Sequence, residues 1–219
     1  MPTTDTNEAE RLRALFAYES RLYAEGAQVV VGIDEVGRGA LAGPVTAGAV
    51  VLGSGWKPEM VAGLNESKQL TRKRRETVAE HLRECVHSWS VAHIEPAVID
   101  ERGIMDALRQ AMEQALAGLR LDSAPDAVLI DGRPLRLFAR EVAIVKGDAQ
   151  IAAIAAASVL AKVERDALMR EAEERFPGYG FASNVGYGSS THCAALAEKG
   201  LSAFHRRTFC SRFIQETLF

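Results

Sequence analysis

V-V-V-G-I-D-E-V-G-R-G-A-L-A-G-P runs from Val29 to Pro44. Its first half, Val29 to Asp34, is apolar and β-branched, which is the composition of a buried strand. Two adjacent carboxylates follow, Asp34 and Glu35, and then Gly37, Arg38 and Gly39. Successive side chains on a strand point to opposite faces of the sheet. If the strand runs on through the acid pair, the two carboxylates therefore serve different surroundings.

Working outward, four more stretches read as strands: 44–52, 88–94, 126–132 and 142–148. The second begins at Pro44, where a strand tolerates proline. Helical periodicity marks residues 8–24, a segment from the N-cap Thr71 to about residue 87, residues 96–119 with a break at Gly103, residues 150–175 and residues 191–199. A glycine-rich loop fills 176–190. The three early strands can form an antiparallel meander, and the later strands are reached through helices, which implies parallel crossovers. The expected class is α/β, a five-stranded mixed sheet flanked by helices. The expected organisation is an N-terminal helical lead (1–28), a catalytic domain (29–190) and a helical C-terminal segment (191–219).

The chain has 219 residues, 47% hydrophobic and 25% charged, with a formal net charge of −3. A chain of this size buries a core without staples. No global positive field draws it to nucleic acid, so an anionic partner must meet a local basic patch. Its three cysteines, Cys85, Cys193 and Cys210, are widely spaced and form no C-x-x-C. That argues against a disulfide framework or zinc knuckle and for a reducing compartment. The polar N-terminus and the lack of any long apolar run make a cytoplasmic, membrane-free monomer the expectation.

Three apolar strands close on acids: Asp34-Glu35, Asp131 and Asp148. Any one alone reads as an ordinary terminator, because Asp favours turns. Three together, in a sheet whose ligands sit beyond the carboxyl ends of its strands, read as one cluster of hard oxygen donors. Mg²⁺ or Mn²⁺ suits such a set, and two ions about 4 Å apart are the usual apparatus for hydrolysing a phosphodiester. Residues 37–42 formally match G-x-G-x-x-A, but two acids precede the glycines and a Val-rich strand follows Pro44. That context rejects a dinucleotide fold. No G-K-[ST] occurs, which rejects a P-loop.

D-E-V-G-R-G (34–39) followed by G-P-V (43–45) resembles the signature of bacterial ribonuclease HII, the type 2 ribonuclease H. N-E-S-K-Q-L (65–70), V-L-I-D-G (128–132), V-K-G-D (145–148), A-A-A-S-V-L-A-K-V-E-R-D (155–166), G-Y-G (186–188) and F-H-R-R-T-F (204–209) are similar to family stretches in the same order. The resemblance implies the ribonuclease H fold and hydrolysis of RNA in RNA–DNA hybrids. It also implies cutting 5′ to a single ribonucleotide in duplex DNA, as in ribonucleotide removal and primer removal, leaving 3′-hydroxyl and 5′-phosphate ends. It makes Asp34, Glu35, Asp131 and Asp148 the catalytic, metal-holding acids. Gly37, Arg38 and Gly39 become the backbone that reads the ribose 2′-hydroxyl, and Tyr187 the aromatic that packs on the junction nucleotide.

The patches Ser67 to Arg75 and His205 to Arg207 become candidate phosphate contacts, with Lys68 and Lys146 first among them and Ser158 and Lys162 as lesser candidates. Val185 and Ser189 stand where the family has lysine and threonine, so one phosphate contact is expected to be absent or supplied elsewhere. A catalytically silent nucleic-acid-binding module on the same fold is the rival reading, and the full set of acids argues against it. Gln215, Leu218 and Phe219 resemble a peptide that grips the bacterial sliding clamp; the alternative is an amphipathic end folded back on the core.

Overall fold

The computed structural model describes residues 4–213. The chain begins with α1 (Thr4–Leu15) and α2 (Ala17–Ala24). Then come β1 (Val30–Val36), β2 (Val45–Val51), α3 (Arg72–Cys85) and β3 (Ser88–Ile94). After α4 (Pro96–Arg102) and α5 (Ile104–Ala117), the chain forms β4 (Ala127–Asp131) and β5 (Glu141–Ile144). It ends in α6 (Ala152–Arg175), α7 (Phe181–Asn184) and α8 (Ser190–Lys199). The sheet order is β3-β2-β1-β4-β5, with β1–β2 and β2–β3 antiparallel and β1–β4 and β4–β5 parallel. This is the mixed, helix-flanked sheet that the strand order implied.

Parity along β1 divides the two faces. Val31 and Ile33 belong to a core shared with α5, through Ala107, Leu108, Ala111 and Met112. Gly32 faces α6: a Cβ there would come within 2.6 Å of Ala153 Cβ. Gly48 on β2 likewise lies against the Ala157 carbonyl of α6. The glycines and the Ala-rich face of α6 let a 24-residue helix lie almost on the sheet. The N-terminus of α6 is met by α2, whose buried Glu19 accepts from the Ala153 N–H at 2.8 Å. Leu12, Leu15 and Phe16 share a buried cluster with α3 and α6, and Ala195, Leu196 and Cys210 share one with Met169 and Phe181.

Three expectations are corrected. The single helix over 8–24 is two, hinged at Phe16, whose ring packs against Trp56 with centroids 4.9 Å apart. The fifth strand stops at Ile144 rather than 148, because Lys146 takes a left-handed conformation (φ 56°) and Gly147–Ala149 forms a 3₁₀ turn. The loop over 176–190 contains the one-turn helix α7.

Candidate active site

Parallel pairing sets Ile33 opposite Ile130, so the next residues, Asp34 and Asp131, end neighbouring strands side by side. Both continue the parity of the α6 face. Asp148 is delivered by the 3₁₀ turn after β5, and the N–H of its neighbour Gly147 donates to Asp131 Oδ1 at 2.6 Å. Glu35, one step along β1, turns toward α5. There it lines a groove of about 530 Å³ with Asp131, Arg38, Arg109, Met105 and Arg133. Alternation thus splits the acid pair between two faces around one strand end.

The electrostatics are those of crowded negative charge. Asp34 is 5% exposed. Burial, with Glu35 and Asp131 close by, pushes its carboxyl up to about 8, against the pull of the Ser158 hydroxyl and the Glu35 N–H. Burial also raises Glu35, helped by Asp131 and opposed by Arg38, whose Nη1 lies 3.8 Å from Glu35 Oε1. Asp148 is raised by burial and by Asp131. Its nearest cation is Lys68, with Nζ 3.9 Å from Oδ2 on a largely exposed side chain. Among the described residues, no three acid, histidine or cysteine side chains converge closely enough to hold an ion ready-made. The donors are nonetheless all carboxylate oxygens carrying excess negative charge, which fits a hard divalent cation better than any other group.

Residues 31–212 match the Ribonuclease HII family. The chain belongs to that family. Solved ribonuclease HII enzymes share its fold. The ribonuclease H2 of Pyrococcus horikoshii OT3 is 26% identical, with a TM-score of 0.67 over 84% of this chain and 98% of the other. The ribonuclease HII of Archaeoglobus fulgidus, solved as a complex with PCNA, is 26% identical, with a TM-score of 0.71 over 86% and 98%. A Bst ribonuclease HIII solved with Mn²⁺ shares the fold at 20% identity, with a TM-score of 0.62 over 80% and 64%. As a ribonuclease HII, the chain is a ribonuclease H, a hydrolase that cuts nucleic acid internally.

Several candidates take different places from those the ribonuclease HII motifs suggested. Ser67 is buried and bonds Ser158 Oγ at 2.9 Å, so this pair braces the wall behind Asp34 and is not free for phosphate. Arg75 donates to the Ser67 and Leu70 carbonyls and meets Asp166. Lys162 is paired with Asp166 at 2.6 Å. The tail cluster is mostly internal: His205 and Arg206 are buried, and only Arg207 is exposed. A motif shows that these residues are basic, whereas burial depends on the packing of α6 and α8 around them. Lys68, Lys146 and Tyr187 are exposed near the acids' end of the sheet or its loops. Gln215, Leu218 and Phe219 lie outside the described residues.

His192, which sequence reasoning missed, and His205, which it read as a phosphate contact, hold this end together. His192 Nδ1 bonds the Tyr187 carbonyl at 2.9 Å, and its Nε2 meets His205 Nε2 at 3.1 Å. His205 Nδ1 in turn receives the Ser202 N–H at 3.0 Å. A carbonyl only accepts and an N–H only donates, so the chain closes with both imidazoles neutral. Burial and His192 pull His205 down to about 4 from 6.5. The unfolded chain therefore takes up the proton first as pH falls through 6.5. The contribution of His205 to stability is expected to drop by about 2 kcal/mol between pH 6.5 and 4, after allowing for solvent screening, and to be constant above 6.5. Urea midpoints at pH 7.5 and 4.5, compared between wild type and His205→Gln, measure the drop, which the variant should lack.

Proposed function

We propose that this ribonuclease H hydrolyses the RNA strand of RNA–DNA hybrids and nicks duplex DNA on the 5′ side of single ribonucleotides, leaving 3′-hydroxyl and 5′-phosphate ends. The observation that carries the reading is the placement of Asp34 and Asp131 at adjacent parallel strand ends, with Asp148 delivered beside them, and a carboxyl at Asp34 raised to about 8 by burial and, less, by the neighbouring Glu35 and Asp131. Asp34, Glu35, Asp131 and Asp148 would hold Mg²⁺ or Mn²⁺. When bound, the ions supply water activation and stabilisation of the leaving oxygen. Lys68 lies next to Asp148 and is placed to meet a phosphate as well as the acid. Lys146, exposed on its left-handed turn, flanks the same acid. The Gly37-Arg38-Gly39 backbone and Tyr187 recognise the ribose and its neighbour, since the 2′-hydroxyl is what separates RNA from DNA. Such an enzyme serves removal of misincorporated ribonucleotides and of RNA primers in the cytoplasm, acting as a monomer.

The test uses three duplexes, one with a single ribonucleotide, one RNA–DNA hybrid and one all-DNA, each with Mg²⁺, Mn²⁺ or chelator. Cutting of the first two only, and only with metal, is expected. Equal cutting of the all-DNA duplex would make it a general nuclease, and binding without cutting would make it a silent module. The Archaeoglobus relative is solved with PCNA. We extend clamp binding to Gln215, Leu218 and Phe219; deleting residues 215–219 should abolish capture by a bacterial sliding clamp, and unchanged capture removes the idea.

A further inference from the structure

Two arginines are wholly buried, and among the described residues neither guanidinium meets a carboxylate. Arg165 and Arg206 each have a relative exposure of 0%. The two acids flanking Arg165 are engaged elsewhere, Glu164 by Arg83 and Asp166 by Lys162 and Arg75. Buried cations are normally paired, because the desolvation cost is large. These two are satisfied by backbone carbonyls alone. Arg206 donates to Gly37 O at 2.7 Å, Arg38 O at 3.0 Å and Gly43 O at 2.9 Å. Arg165 donates to Ala42 O at 3.1 Å, Pro44 O at 2.9 Å and Val185 O at 2.8 Å. Its guanidinium also lies 5.7 Å from the centroid of the exposed Tyr187 ring.

The peptide plane converts these bonds into a direction. In a trans peptide, C=O and the following N–H point oppositely. With the carbonyls of Gly37 and Arg38 drawn inward to Arg206, the N–H groups of Arg38 and Gly39 must face away from it. Both residues are exposed, and neither N–H has an acceptor among the described residues. They open beside the groove that Glu35 and Arg38 line. Gly37, at φ 83°, has no room for a Cβ because the Arg165 guanidinium occupies that space.

We infer that Arg206 and Arg165 are positioning residues for ribose recognition: from behind the loop they hold its carbonyls inward, so that the Arg38 and Gly39 amides form an outward donor pair for the 2′-hydroxyl oxygen of the substrate. The inference rests on the reading of Gly37-Arg38-Gly39 given above, and supplies the reason that this backbone has one conformation before substrate arrives. Arg165, by also holding Val185 and lying near Tyr187, ties the junction aromatic to the same loop.

Steady-state cleavage of a duplex with one ribonucleotide gives KM, and an all-DNA duplex used as competitor gives Ki. The ratio Ki/KM then measures what the 2′-hydroxyl contributes to recognition. Arg206→Gln and Arg206→Lys are expected to lower that ratio about tenfold, the worth of one lost hydrogen bond, through a rise in KM, with Ki within about twofold of wild type because other groups meet the phosphates. A purely structural role would lower thermal stability and leave the ratio of the folded enzyme unchanged, which overturns the inference. Should both variants fail to fold, the wild-type protein decides. Its Arg38 and Gly39 amide proton resonances should move downfield with the ribonucleotide duplex and not with the all-DNA duplex, and equal shifts overturn the inference. A wild-type ratio near one would instead overturn the underlying reading of the loop.

Discussion

Asp34→Asn is expected to lower cleavage on the order of 10³-fold or more, about 4 kcal/mol of barrier, while leaving most duplex affinity in place. Asparagine keeps the shape of the side chain beside Ser158 but removes a formal charge that a divalent ion needs. Stability should move the other way. The folded carboxyl titrates at about 8, against 3.8 when unperturbed. A raised folded value means that the folded protein holds its proton longer than the unfolded chain, so the Asp34 contribution to stability is greatest below 3.8 and declines as pH rises to about 8. Metal-free Asp34→Asn escapes that decline. It should exceed the metal-free wild type by several kcal/mol at pH 8 and match it near pH 4. Urea unfolding in chelator at the two pH values, beside a cleavage assay, reads both effects. Retained cleavage would remove Asp34 from the chemistry, and loss of the fold by circular dichroism would assign it a structural role.

Gly32→Ala is expected to cost about 3 kcal/mol. The new methyl would lie 2.5 Å from the Ile154 nitrogen and 2.6 Å from Ala153 Cβ. These are mostly main-chain atoms of α6, and the buried helix has no open side toward which to retreat. Gly55→Ala is the control: nothing stands within 4 Å of its methyl, and the change should stay within about 0.5 kcal/mol. A shift of the urea midpoint at Gly32 no larger than that at Gly55 would show that α6 yields easily. Because α6 carries Ser158 and follows the turn that bears Asp148, Gly32→Ala should also depress cleavage without touching an acid.

The strands, their order and the acids at their ends were legible because each rests on local chemistry. Val-rich runs, a Pro at a strand start and Asp at strand ends act within a few residues. The boundary of β5 was not, since V-K-G-D continues the apolar pattern and only the left-handed turn at Lys146 breaks the ladder. The roles of the basic residues were least legible. Lys68 and Arg206 are equally cationic on paper, yet one is exposed beside Asp148 and the other is sealed behind the Gly37–Gly43 backbone. Sequence period distinguishes helix from strand, but it does not say which arginine of H-R-R the tail will turn inward. Ser67 shows the same limit: its place in N-E-S-K suggested a phosphate contact, and its partner across 91 residues made it a brace.

Arg206 also dates the site within the life of the chain. The bond from Arg206 to the Gly37 carbonyl spans 169 residues, one of the longest-range contacts that a chain of this size can make. Such closures are slow, because distant segments must meet before any bond rewards them. On a ribosome the acids of β1 emerge early and those of β4 and the turn after β5 later, and Arg206 emerges after all of them. A nascent chain paused before residue 206 thus carries its carboxylates without the bonds that hold the Gly37–Gly43 backbone. On the proposed reading of that loop, discrimination between RNA and DNA waits for Arg206, after Asp34, Glu35, Asp131 and Asp148 have already emerged.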